Sequence, residues 1–462
     1  MTVHDTVAAD PAAGPPENAV TDAPGQAYQA LAPRTALVYR TLGVLPLPST
    51  RIDPGMAAAA TGLDPAATEL HLTTLTQARL IAPADDGMFD FVATDGRRHA
   101  AALGRQEDST GATDKARHRA LDWLVAEFAA AGRVVDHYRR RIDPQVIYPP
   151  PHRAAVATTE QALAWLRTRS TYLRPALEAA DAYGLDYIVS QLVYAAWPLI
   201  LRERDYGQWI WMHDLAIPAA RNLADAAPRT RTGGARLMLR ELYGARAAAL
   251  RAVGRHTEAI EDCHSALASA KREADETGQA QALHDLGACA QAAGAPILAL
   301  IYLTRALERR CDLHRARDAG VTRLLLGVVE HELGNHPAAL THLHTARRQL
   351  EDADDALNAS RAQAWWGRVL ATVGVFDDAD KAFAAAREGF REQGADLWEA
   401  RTLLWEGESA AAQDRKETAI ALLNRARALC AGSLDDARRV DAALHRLDAD
   451  PTEPTAVLAH RR

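Results

Sequence analysis

Along most of the chain, apolar side chains recur at three- and four-residue intervals, the spacing of one face of an α-helix. Leu121, Leu124, Val125 and Phe128 form one such stripe, and Leu163, Leu166, Leu173 and Leu177 a second. Tyr187, Leu192, Ala195, Ala196 and Leu199 form a third. Strand-like alternation is confined to the neighbourhood of Met88–Val92. Beyond about residue 235 the stripes fall into a fixed register. Gly254, Gly294, Gly334 and Gly374 recur every 40 residues, and the next step lands on Asp414, another turn former. Seven residues before each turn stands Ala247, Gly287, Gly327, Gly367 or Gly407. Five residues after it comes Ala259, Ala299, Ala339, Ala379 or Ala419, and seven further on Ala266, Ala306, Ala346, Ala386 or Ala426.

Such a register predicts helical hairpins. The turn residue tolerates unusual backbone angles, and the small residues let the two helices cross closely. Bulkier groups such as Leu303, Leu343, Trp366, Phe383 and Leu423 fill the remainder. One hairpin cannot bury its own apolar face, so hairpins stack. The small–turn–Ala–Ala spacing resembles the tetratricopeptide repeat, with a period of 40 in place of that family's shorter one. The extra residues are expected to lengthen helices or loops. A degenerate unit is expected over about 186–222, with its turn at Leu201–Trp209 and Ala216 at the second alanine position. A helix from about Leu434 to Leu447 is expected to cap the open end.

Residues 34–103 read differently. A short helix should end at Gly43, and Asp53-Pro54 and Asp64-Pro65 are two further helix starts, each an Asp cap followed by Pro. Ala84–Val92 reads as an Asp-Gly turn between short strands. Three helices and a hairpin predict a winged helix. The segment Tyr39-Arg-Thr-Leu-Gly-Val-Leu-Pro-Leu-Pro48, with Ala162-Leu-Ala-Trp-Leu166 and Ala195-Ala-Trp-Pro-Leu199, resembles the winged-helix and repeat part of actinobacterial NB-ARC and antibiotic-regulatory (SARP-like) regulators. That resemblance implies the order winged helix, helical linker, repeats. No counterpart of the family's nucleotide-binding domain is expected in residues 1–30. Phe91–Arg98 also lacks the histidine that this family carries after its wing. ATP binding is therefore not carried over, and no cofactor is expected.

The expected organisation is mainly α: a disordered tail (1–30), a winged-helix-like domain (31–103), a polar linker (104–116) and a helical linker with the degenerate repeat (117–224). Five repeats with a capping helix (235–447) and a second disordered tail (448–462) complete it. Further breaks are expected at Pro149-Pro150-Pro151 and at Asp225–Gly234. Composition narrows the chemistry. Lysine occurs only at 115, 271, 381 and 416, none of them in a phosphate-binding G-x-x-x-x-G-K loop. Cys263, Cys289, Cys311 and Cys430 are scattered, without C-x-x-C, and no apolar run could span a membrane. A reduced, cytoplasmic setting follows as the expectation.

Candidate chemistry is sparse. No G-x-S-x-G and no zinc spacing appear, and His331, His336, His342 and His344 do not share one helix face. An enzyme is not expected, nor a metal. Within 34–103, six Arg face seven acidic residues, and the third helix is net acidic, so nucleic acid is not the expected partner. Arg97 and Arg98 beside the wing keep a rival open: a winged-helix DNA-binding transcriptional regulator with the repeats as sensor. Arg139-Arg140-Arg141 reads as a charged helix end. The sharper site lies on the concave wall, where outward positions of the first helices include His284, Leu324 and His331. The last two repeats present Arg361, Trp365, Arg368, Arg401 and Trp405 together, and Arg and Trp dominate binding hot spots. The competing reading packs the tryptophans between repeats. The expected function is a non-enzymatic regulatory adaptor, in signalling or transcriptional regulation, whose groove holds an acidic or amphipathic peptide or protein partner.

Overall fold

A computed structural model describes residues 23–448 apart from 49, 93–94, 137, 151–155, 227–232 and 431–432. Residues 1–22 and 449–462 of the expected tails, with Pro151 and residues 227–232 of the expected breaks, lie outside the described residues. The chain divides into two compact units, Met1–Leu242 and Tyr243–Arg462.

The first unit begins with α1 (Ala23–Gln29), which corrects the expectation of disorder through residue 30. One ring accounts for it: Tyr28 is buried 5.9 Å from Tyr39, and its hydroxyl donates to Glu107 Oε2 at 2.7 Å. Then follow α2 (Pro33–Val44), β1 (Arg51–Ile52), α3 (Pro54–Thr61), α4 (Pro65–Gln77), β2 (Ile81–Pro83) and β3 (Phe89–Phe91). Both Asp-Pro starts behave as read. The amides of Gly55 and Met56 donate to Asp53 Oδ1, and that of Ala67 to Asp64 Oδ1. The strands form an antiparallel sheet in the order β1-β3-β2, and Asp86 and Gly87 turn the β2–β3 hairpin at φ 61° and 71°. Strand β1 was not legible, since two residues show no period.

Residues 104–116 are not a linker. Helix α5 (Gly96–Glu107) and α6 (Thr110–Val135) occupy them apart from Asp108 and Ser109. The glycine that reads as flexible is a crossing point. A Cβ on Gly104 would lie 3.3 Å from Val44 Cγ1 and 3.4 Å from the Arg40 carbonyl. Arg40 then fixes the joint by donating to both oxygens of Asp108 at 2.8 and 2.9 Å. Helices α7 (Thr159–Arg169), α8 (Leu173–Ala182), α9 (Asp186–Ala195), α10 (Trp197–Glu203) and α11 (Tyr206–Ala226) complete the unit. The helical break at Arg204 (φ 55°) falls inside the expected turn, and Ala216 is fully buried.

The unit boundary falls inside α12 (Gly233–Ala252), after which come α13 (His256–Arg272), α14 (Glu276–Ala292), α15 (Pro296–Asp312), α16 (Ala316–Glu332), α17 (His336–Glu351), α18 (Ala356–Thr372), α19 (Phe376–Glu392), α20 (Asp396–Ala412), α21 (Lys416–Leu429) and α22 (Leu434–Asp448). This is a tetratricopeptide-like solenoid. The long period resides in the helices, mostly 17 residues each and joined by three-residue turns. The glycines at 254, 294, 334 and 374 stand at φ 74–81°. Between them a second series of left-handed turns runs through Ala274, His314, Asp354 and Gly394. Small-residue crossings recur as read. A Cβ on Gly287 would meet Leu303, on Gly327 Leu343, on Gly367 Phe383 and on Gly407 Leu423, all at 2.5–3.0 Å. Helix α22 takes the place of a sixth first helix and packs on α20 and α21. Forty residues beyond Gly407 stands Leu447, which leaves no room for another close crossing.

Candidate peptide-binding face

First helices of successive hairpins lie against one another: α14 on α16, α16 on α18, α18 on α20 and α20 on α22. Side chains one repeat apart are therefore neighbours on this layer. Trp365 of α18 and Trp405 of α20 have ring centroids 4.6 Å apart, tilted by 51°. The guanidinium carbon of Arg368 lies 4.8 Å from the Trp405 centroid and 5.7 Å from that of Trp365, a cation–π geometry. His331 completes this cluster edge-on to Trp365 at 6.3 Å. Burial holds the His331 pKa down to about 4, with help from the Arg368 and His336 charges, so its imidazole is neutral at neutral pH. Burial also lowers Arg368, partly offset by Glu408 at 3.8 Å.

The second cluster is built on Trp398. Arg361 and Arg401 both place guanidinium groups over its ring, at 4.6 and 5.2 Å. Arg361 also donates to Asn358 Oδ1 at 2.6 Å. Arg401 donates to both oxygens of Asp436 at 2.9 and 3.0 Å, and the Ser433 hydroxyl donates to the same carboxylate at 2.8 Å.

The five sequence-derived residues thus fall into two clusters, Trp365, Arg368 and Trp405 in one and Arg361 and Arg401 in the other, and three further differences stand out. The tryptophans pack between adjacent repeats, half-buried, and are not free rings on a wall. Arg401 staples the capping helix, which withdraws it from the set an incoming carboxylate could use. Leu324 is only 4% exposed and belongs to the core beneath the face. Sequence reasoning missed Trp398 and Asp436. Trp398 had a signal, standing three residues before Arg401 and seven before Trp405 on one helix. Asp436 had none, because its role depends on where α22 docks.

Elsewhere, Arg139-Arg140-Arg141 lies beyond the end of α6 at Val135 and not within a helix end. Arg139 stacks 3.8 Å over Tyr194 and donates to its carbonyl at 2.8 Å. No three His, Cys, Asp or Glu side chains converge for a metal, and no helix is long and apolar enough to cross a membrane, among the described residues.

Comparison with known proteins agrees with the repeat. The tetratricopeptide-repeat profile matches residues 238–312. No curated protein matches the chain. Among solved structures, BtubC from P. vanneervenii is similar at 16% identity and TM-score 0.39, over 56% of this chain and 99% of that one. A Rap protein complexed with competence and sporulation factor is similar at 15% identity and TM-score 0.44, over 63% and 82% of the two chains. A signal transduction ATPase with a tetratricopeptide repeat sensor from Pyrococcus horikoshii is similar at 11% identity and TM-score 0.43, over 92% of this chain and 64% of that one.

Proposed function

We propose that the chain is a non-enzymatic regulatory adaptor that holds a peptide or protein segment on the first-helix face of its last repeats. The observation that carries this reading is the Arg361–Trp398 and Arg368–Trp365–Trp405 array. Three large rings and two cations on neighbouring first helices suit an apolar or aromatic anchor flanked by carboxylates. Within the first unit, residues 33–91 run helix–strand–helix–helix–strand–strand, an order that supports reading this stretch as winged-helix-like. We read it as a protein-contacting module and not a DNA reader. Of its two wing-side cations, Arg97 is engaged, donating to the carbonyls of Leu45 and Leu47 at 2.7 and 3.1 Å, and Arg98 is exposed in a surface pair with Asp95 at 2.7 Å. Involvement in signalling or transcription is part of the same proposal, as is a cytoplasmic setting.

Selection from a random peptide library on the full chain tests it. Peptides with an apolar or aromatic anchor between acidic residues should be enriched. Arg361→Glu should weaken the selected peptides by roughly thirtyfold, the cost of one hot-spot contact, with melting unchanged. Enrichment without acidic residues, or affinity unchanged in that variant, contradicts the reading.

A further inference from the structure

The segment after α6 is not an ordinary connection. From residue 141 to 150 exposure alternates strictly: 141, 143, 145, 147 and 149 face solvent, while 142, 144, 146, 148 and 150 are half-buried. This is the two-residue period of an extended strand, yet residues 141–150 form no backbone–backbone hydrogen bond among the described residues. Side chains of α6 and α9 supply the partners instead. Gln191 reads Gln145 from both sides, accepting from its amide at 2.5 Å and donating to its carbonyl at 3.0 Å. Asp122 Oδ2 accepts from two successive amides, Ile147 at 3.0 Å and Tyr148 at 2.7 Å. The Tyr194 hydroxyl donates to the Arg140 carbonyl at 2.5 Å.

These side chains are built for the task. Asp122 is fully buried and Gln191 only 6% exposed. A buried carboxylate is costly unless its oxygens are satisfied, and here Oδ1 is taken by the Tyr187 hydroxyl at 3.1 Å and Oδ2, among the described residues, by the strap. The bonds from Gln191, Asp122 and Tyr194 all reach main-chain atoms, so recognition rests chiefly on extended conformation and on the size of alternate side chains. Side-chain contacts add to it: Arg133 donates to Asp143 Oδ1 at 3.3 Å, and the Tyr148 ring lies 5.6 Å from that of His118. The fit beneath is incomplete. A cavity of about 50 Å³ remains, bordered by Gly132, Ile142, Pro144, Gln191 and Tyr194.

We propose that the α6–α9 face is a receptor for an extended peptide backbone, and that residues 140–148 occupy it in cis as a displaceable strap. The competing ligand is an extended segment with apolar side chains at every second position. This surface lies in the first unit and owes nothing to the first-helix face of the repeats, so either assignment can fail alone.

Two measurements on the full chain decide it. In native-state hydrogen exchange, the amides of Gln145, Ile147 and Tyr148 should be protected, but should open locally and well before those of Leu124 and Val125. Gln191→Ala should cut the protection of Gln145 by on the order of tenfold, the worth of two hydrogen bonds. Second, a labelled peptide with the sequence of residues 140–150 should bind a chain carrying Ile142→Ser, Val146→Ser and Tyr148→Ser at least ~10-fold more tightly than the wild type. Adding Gln191→Ala should abolish that gain. Exchange of the strap amides only through global unfolding overturns the proposal. So does equal or absent peptide binding by a folded opened variant. If that variant does not fold, the exchange measurement on the wild type decides alone.

Discussion

A Cβ placed on Gly327 would lie 2.5 Å from Leu343 Cγ, the same close crossing that Gly287 makes with Leu303 one repeat earlier. The branched side chain of one helix is seated in the space the other leaves by having none. Gly327→Val should therefore destabilise the chain by about 1–3 kcal/mol through overpacking. The combination with Leu343→Ala should cost less than the sum of the two single changes, since each relieves the other. Denaturant unfolding of the four proteins checks this.

The two turn series should respond oppositely to the same chemistry. Gly374 stands at φ 81° with nothing near its absent Cβ, so Gly374→Ala should cost about 1 kcal/mol from backbone strain alone. Ala274 already bears that strain at φ 51°, so Ala274→Gly should be neutral or gain a few tenths of a kcal/mol. Melting temperatures of the two variants should move in opposite directions or differ clearly in size.

These turns also show what was legible in the sequence. The first series is written in glycine and announces the 40-residue period. The second runs through Ala274, His314, Asp354 and Gly394, and its first two members are not turn formers, so the 20-residue alternation of turns stayed hidden. Residues 104–116 misled for the opposite reason: Gly104 signals flexibility locally and close packing in three dimensions. Tyr28 shows a segment ordered by the long-range contacts of one ring, to Tyr39, His99 and Glu107. On the candidate face, periodicity alone identified Arg361, Trp365, Arg368, Arg401 and Trp405. That Arg401 is engaged by Asp436 follows only from the docking of α22.

Asp436 should accordingly be a stability residue. Burial raises its carboxyl, but the Arg401 hydrogen bonds and charge outweigh this and hold it below the ordinary 3.8. Its contribution is present above that value and is lost as pH falls through the lower folded one. Asp436→Ala should cost about 1–3 kcal/mol, because a partly buried Arg401 loses its partner. Hydrogen exchange should place the loss first in α22, with α18 unaffected.

His331 should act on the same acid side of the pH profile, beginning at higher pH. With its pKa lowered from the ordinary 6.5 to about 4, the folded chain refuses a proton that the unfolded chain accepts within that window. Stability should fall as pH drops from 6.5 towards 4, with no pH dependence from this group above it. His331→Asn should cost most at neutral pH and progressively less through the window. Melting curves of both proteins across that range provide the check.

The most direct test of the peptide-binding account uses the tryptophans as reporters. The chain has nine, so a fluorine-labelled indole gives a resolvable set of resonances. Titration with a selected acidic peptide should shift the signals of Trp365, Trp398 and Trp405, while Trp123, Trp165 and Trp209 in the first unit stay in place. If the peptide binds and those three signals do not move, or if only signals of the first unit respond, the first-helix face is not the binding site.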